Sequence, residues 1–188
     1  MLRVISGKLK GRRLKRVNSE LVRPTPHKLR KTLFDIIQDR VRGAVFIDGF
    51  AGTGAVGIEA VSWGAKKVYF IENLPEAIKV LKHNIEKCGI VSQCEIIEAD
   101  FNMGIRSLYE RGVVVDIIFI DPPYEFLEKA NPLKIIYKKP LLKEDGIIIL
   151  QHHCEIRFDP RFFEPYRQVK QGASCLTFYR HRREKDEG

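Results

Sequence analysis

The feature that most constrains this 188-residue chain is a regular alternation of strand and helix patterns that begins at Val45. Residues 45–48 read as a short apolar strand, 54–63 as a helix and 67–72 as a second strand. Pro75 then opens a helix whose Ala77, Ile78, Leu81, Ile85 and Cys88 lie on one stripe. Residues 94–99, 114–121 and 146–151 read as further strands. Segments 102–111 and 132–142 between them carry helical spacing. Repeated βα units with short connections build a doubly wound, mostly parallel sheet, because each crossover must cover a face of the sheet and turns right-handed. After Arg157 the pattern changes. Residues 166–170 and 175–182 flank Gly172-Ala173-Ser174 and read as an antiparallel hairpin that closes the sheet. The expected fold is therefore α/β.

Two segments frame that unit. Residues 2–6 and 13–17, around Gly7 and Gly11, read as a small N-terminal β-hairpin. A helix follows to about Arg42, with Thr25 as its N-cap, Pro26 at its first position and Lys28, Arg30 and Lys31 on its exposed face. The expected organisation is a basic extension at 1–42, a main domain at 43–183 and a charged tail at 184–188. Net charge is +9, and residues 1–31 hold eleven Lys or Arg against one acid, Glu20. The segment is therefore +10 and the remaining 157 residues sum to −1. Such concentration suits a polyanion, most simply nucleic acid. No apolar run is long enough to span a membrane and no signal-peptide core follows the N-terminus, so the chain is expected in the cytoplasm. Cys88, Cys94, Cys154 and Cys175 show no metal spacing and read as reduced thiols; no metal is expected.

The run Ile117-Ile118-Phe119-Ile120 ends in Asp121-Pro122-Pro123-Tyr124. The prolines stop the strand and stiffen a corner at its carboxyl end, where open α/β sheets bind ligands. The corner offers an acceptor carboxylate, a free carbonyl at Pro122 and a ring at Tyr124. That set suits a planar group bearing an amino group, such as a nucleobase.

Asp48-Gly49-Phe50-Ala51-Gly52-Thr53-Gly54-Ala55-Val56-Gly57 follows the first strand, with glycines spaced G-x-G-x-x-G and Glu72 twenty residues after Gly52. Glycines let the backbone approach a ligand, the helix start faces an anion and the acid takes ribose hydroxyls. The pattern alone fits a dinucleotide or S-adenosylmethionine. Asp48 favours the latter, because a carboxylate there would accept from an α-ammonium but repel a pyrophosphate. Asp100 and Phe101 stand where adenine would be held.

With these residues in order, the chain resembles class I S-adenosylmethionine-dependent methyltransferases that act on exocyclic amino groups. Arg3-Val4-Ile5-Ser6-Gly7, Lys10-Gly11-Arg12, Arg23-Pro24-Thr25 and Thr32-Leu33-Phe34 resemble one branch, the bacterial 16S rRNA guanine-N2 methyltransferases. The resemblance implies a Rossmann-like methyltransferase sheet and methyl transfer to the N2 amino group of a guanine in 16S rRNA, leaving S-adenosylhomocysteine. It assigns catalysis to Asp121, Pro122 and Tyr124, and cofactor binding to Asp48, Phe50, Gly52, Gly54, Glu72, Asn73, Asp100 and Phe101. RNA binding falls to Arg3, Lys8, Lys10, Arg12, Arg13, Arg23 and Thr25. The expected partner is 16S rRNA or the assembling small ribosomal subunit, engaged by a monomer. Gly49 departs from the family's larger apolar residue and is expected to loosen the loop. Methylation of an adenine or cytosine amino group in DNA, and RNA binding without catalysis, are the alternatives.

Overall fold

The computed structural model describes residues 1–18, 20, 22 and 25–183. The expected site residue Arg23 and the tail at 184–188 lie outside them. Helix α1 (His27–Val41) precedes an alternating series: β1 (Val45–Gly49), α2 (Ala55–Ser62), β2 (Lys67–Glu72), α3 (Pro75–Lys87), β3 (Cys94–Glu98), α4 (Phe101–Glu110) and β4 (Val115–Ile120). Then come α5 (Tyr124–Lys129), α6 (Pro132–Lys138), β5 (Leu142–His153), β6 (Glu164–Gln171) and β7 (Ser174–Arg180). The seven strands form one sheet in the order β3-β2-β1-β4-β5-β7-β6. β1 to β5 pair in parallel, whereas β7 runs antiparallel to both β5 and β6. The strand order reverses between β1 and β4, so a crevice opens at their carboxyl ends, where this class of sheet takes its ligands.

Each face of the sheet has its own core. Phe46, Phe70, Ile117, Phe119, Ile149 and Phe178 meet α1 and α2 on one side. Ile47, Ile71, Ile118, Ile120, Ile148 and Leu150 meet α4 and α6 on the other. Near-continuous apolar strands such as β4 follow from burial on both faces.

The N-terminal segment is bound into this body. Arg3 and Arg13 form an antiparallel bridge that closes the expected hairpin, and Leu2, Val4, Leu9 and Leu14 are buried in the α1–α2 core. Glu59 of α2 accepts the backbone N–H groups of Ile5 and Ser6 (2.9–3.1 Å). Ser62 accepts those of Lys8 through its carbonyl and Leu9 through its hydroxyl. Gly7 turns with φ 82°, and a Cβ there would sit 2.1 Å from the Ser62 carbonyl oxygen, so only glycine fits.

Several local expectations are corrected. Thr25 does not cap α1: the N-cap is Pro26 without a side-chain bond, and Thr25 is buried. Arg30 is not on the exposed face but 1% accessible, donating to the Arg3 carbonyl, with Nε and Nη1 unpartnered among the described residues. Burial holds its pKa down, against the opposing pull of Glu59. α6 stops at Lys138 rather than 142, since Lys139 precedes Pro140 and is biased out of the helical region. β5 starts at Leu142, four residues early, through a register shift opposite Val115–Ile117. Cys154 and Cys175 are not free thiols. The Cys154 amide bonds to the Ala173 carbonyl and Cys175 pairs with His152 on β5, which brings their Cα atoms to 5.1 Å in a disulfide. Cys88 and Cys94 remain free.

Candidate active site

The carboxyl ends of β1, β2 and β4 surround a cavity of about 600 Å³. Nine of the residues singled out from the sequence for cofactor or catalysis line it: Asp48, Phe50, Gly52, Glu72, Asn73, Asp100, Phe101, Asp121 and Pro122. Thr25 joins them from the start of α1. Gly54 does not line it. It holds the N-cap of α2 at φ 83°, where a Cβ would meet Leu81 at 2.3 Å. Tyr124 stands outside at the rim, 64% exposed. Arg3, Lys8, Lys10, Arg12 and Arg13 are exposed along the N-terminal segment.

Charge gives the cavity its character. Its described lining holds six acids (Glu20, Asp48, Glu72, Asp100, Asp121 and Glu125) and no Lys or Arg. A pyrophosphate would be repelled; a cationic ligand would be held. Asp48 is 2% accessible and accepts the Gly57 N–H at 2.9 Å, so its carboxylate satisfies a donor in the first turn of α2. Burial raises its pKa well above the ordinary range. The Gly57 bond opposes this, and the charges of Asp121 and Glu72 add to it. The Asp121 carboxyl is enclosed by protein atoms although the residue keeps some surface in the crevice, and burial pushes its pKa up to about 7. Glu72 ties the loop down. One oxygen accepts the Gly52 N–H (2.8 Å) and the other accepts those of Asn73 and Leu74 (both 3.0 Å). Asp100 caps α4 by accepting the Met103 N–H at 2.8 Å.

An aromatic wall completes the cavity. Phe50, in the left-handed region at φ 59°, stacks on Phe101 (centroids 5.3 Å, planes 17° apart), and Phe126 meets both edge-on. Gly49 makes this possible, since a Cβ there would lie 2.9 Å from the Phe101 ring. The expected loosening is therefore reversed: the missing side chain lets Phe101 pack tightly on β1. Phe126 escaped notice because it lies in α5, a helix of six residues that the sequence pattern did not mark. Asn84 was missed as well. It is fully buried and donates to the Thr53 carbonyl in the cavity wall (2.9 Å).

A 3-2-1-4-5-7-6 sheet with this cavity at its switch point defines a protein of the Rossmann-like methyltransferase fold class. A family model described as conserved hypothetical protein 95 matches residues 2–180, and the chain belongs to that family. It is 32% identical over 152 residues to the ribosomal RNA small subunit methyltransferase D of Haemophilus influenzae, an alignment covering 80% of this chain and 78% of that one. Among solved structures, a hypothetical protein of Thermus thermophilus superposes with a TM-score of 0.83 at 29% identity, covering 96% of this chain and 99% of that chain. An RNA methyltransferase of Salinibacter ruber, solved with S-adenosyl-L-homocysteine, shares the fold at a TM-score of 0.65 and 16% identity, covering 88% of this chain and 98% of that chain. Among the described residues no helix is long and apolar enough to cross a membrane.

Proposed function

We propose that this protein transfers a methyl group from S-adenosylmethionine to the exocyclic N2 amino group of a guanine in 16S rRNA, leaving S-adenosylhomocysteine. The observation that carries the reading is a cavity whose described lining holds six acids and no Lys or Arg, and which shares its wall with the Asp121-Pro122 corner. S-adenosylmethionine is a cation, and when bound it supplies a methyl group activated by a sulfonium. Asp48 would hold its ammonium, Glu72 and Asn73 its ribose, and Asp100 with Phe101 its adenine. Phe50, Gly52 and Gly54 shape the loop around it.

The remaining task belongs to the corner. An aryl amine is a poor nucleophile because its lone pair is delocalised into the ring. The Asp121 carboxylate and the Pro122 carbonyl accept its two N–H bonds and hold the nitrogen pyramidal. Pro122 lines the cavity, and its oxygen accepts from no described residue. Positioning and electrostatics supply most of the rate. After transfer the nitrogen releases one proton, which a carboxyl titrating near neutrality can take up. Tyr124, exposed at the rim, stacks on the extruded base. Thr25 lines the cavity, and the basic N-terminal segment grips phosphates without reading sequence. The enzyme acts in the cytoplasm as a monomer, on rRNA or the assembling small subunit.

Methyl transfer from tritiated S-adenosylmethionine to small subunits, naked 16S rRNA and duplex DNA tests this. Label is expected in the rRNA and, after digestion, in N2-methylguanosine. Label confined to DNA, or to a different base, overturns the reading.

A further inference from the structure

A second cavity of about 600 Å³ lies among α4, α5 and α6. Its lining combines the apolar Leu127, Ala130 and Ile135 with Lys129, Lys134, Lys138 and Lys139, and holds Glu128 as its one acid. None of the four lysines makes an ion pair with a described residue. Lys134 and Lys138 stand one helical turn apart on α6, an arrangement that destabilises an isolated helix. Lys139 leans over the Tyr109 ring at 5.8 Å. A cluster of ammonium groups kept together in this way calls for an anion.

Its position says which anion. α5 begins at Tyr124, directly after the Asp121-Pro122-Pro123 corner. Glu125 and Phe126 of that helix line the acidic cavity, while Leu127, Glu128 and Lys129 line the basic one. Asp100 and Phe101 line the first cavity and the next residue, Asn102, lines the second. The two cavities thus share two walls, and Tyr124 to Lys129 spans only about 7.5 Å of helix. A strand whose base enters the first cavity must lead its backbone away across the rim. Lys129 and α6 stand on that path, in a region separate from the N-terminal segment.

We propose that the α5–α6 cavity binds the phosphate backbone of the substrate RNA beside the nucleotide held at Asp121. This rests on the functional reading above. It makes the grip on RNA two-sided, with α6 on the side opposite the N-terminal arm of the chain.

The test compares the wild-type protein with a Lys134→Gln, Lys138→Gln double variant and with an Arg40→Gln, Lys143→Gln control. The control removes equal charge at the amino end of β5, where Lys143 pairs with Asp116 and Arg40 donates to the Asp145 carbonyl, away from the crevice. Binding of a short single-stranded RNA is measured against salt concentration, and methyl transfer to 16S rRNA is measured in parallel. Losing two phosphate contacts should flatten the logarithmic salt slope by about 1.4. Affinity at low salt should fall several-fold, S-adenosylhomocysteine binding should hold, and the control should behave as wild type. An unchanged slope in the α6 variant, or an equal change in the control, overturns the proposal. Absence of RNA methylation by the wild-type protein would instead sink the functional reading, while the binding comparison still decides this one.

Discussion

The Asn84 side chain reads the Lys15 backbone twice, with Oδ1 2.7 Å from the Lys15 nitrogen and Nδ2 3.0 Å from its carbonyl oxygen. The same Nδ2 donates to the Thr53 carbonyl, so one buried amide fastens the basic segment to the loop that walls the acidic cavity. Asn84→Ala should lose about 1–3 kcal/mol of stability by orphaning these groups. Asn84→Asp should lose more, because its carboxylate would face the Lys15 and Thr53 carbonyls. Thermal denaturation of both variants, with calorimetric titration of S-adenosylhomocysteine, checks the order. An Asp variant as stable as wild type would refute the role.

Asp121→Ala should still bind S-adenosylhomocysteine, because Asp48, Glu72 and the aromatic wall remain. Its single-turnover methyl transfer should fall by about 10²–10³, the loss typical of removing one preorganised polar contact to a transition state. Near wild-type turnover in that variant would remove Asp121 from the mechanism.

The pKa shifts of Asp48 and Asp121 set a pH dependence. Both carboxyls are raised in the folded protein, Asp121 to about 7. The folded state therefore binds protons more tightly than the unfolded chain. Stability from this source is present below about pH 4 and is lost as pH rises through 7. Ligand-free melting temperature should fall across that window. Asp121→Asn should flatten the fall, leaving the variant closer to or above wild type at pH 8. Thermal melts at a series of pH values decide it. A wild-type melting temperature that climbs from pH 5 to 8 in step with the variant would count against the shift.

Exposed Lys8, Lys10, Arg12 and Arg13 carry the proposed phosphate grip of the N-terminal segment. Replacing all four by Gln should flatten the salt slope of single-stranded RNA binding by about 3, at 0.7 per contact, and leave cofactor affinity intact. Deleting the segment would be a poor test. Leu2, Val4, Leu9 and Leu14 are core residues, each contributing about 1.5–3 kcal/mol.

The Cys154–Cys175 bond closes a loop with a sequence separation of 21. Loop-closure entropy puts its contribution at about 3 kcal/mol. Chemical denaturation with and without reductant should show that difference, and Cys154→Ser should match the reduced protein.

The main fold was readable because its strands are short, apolar and set at regular intervals. The β1 to β4 boundaries fall within a residue or two of the pattern. The cavity lining was readable for the same reason, since Asp48, Glu72 and Asp121 stand at or next to strand ends. Other features turned on tertiary contacts that no local period encodes. Arg30 has a helix-surface spacing, yet the Arg3 carbonyl draws it inside. Thr25 looks like a cap, but Pro26 occupies that place. Two cysteines 21 residues apart meet only because β5 and β7 pair. Phe126 sat in a stretch whose two prolines suggested a loop.

The seating of the N-terminal arm on α2 also orders events in time. Its partners Glu59, Ser62 and Asn84 lie 53–69 residues further along the chain. During synthesis the arm emerges first but can dock only after α2 and α3 exist, so it joins the body late. Once docked, the arm is held by four buried leucine and valine side chains and by bonded amides, so it does not behave as a loose end. The amides of Ile5, Ser6, Leu9 and Lys15 should therefore exchange slowly, at rates approaching those of β1 and β4. The methyl-donor pocket and the basic arm would then open together rather than one before the other.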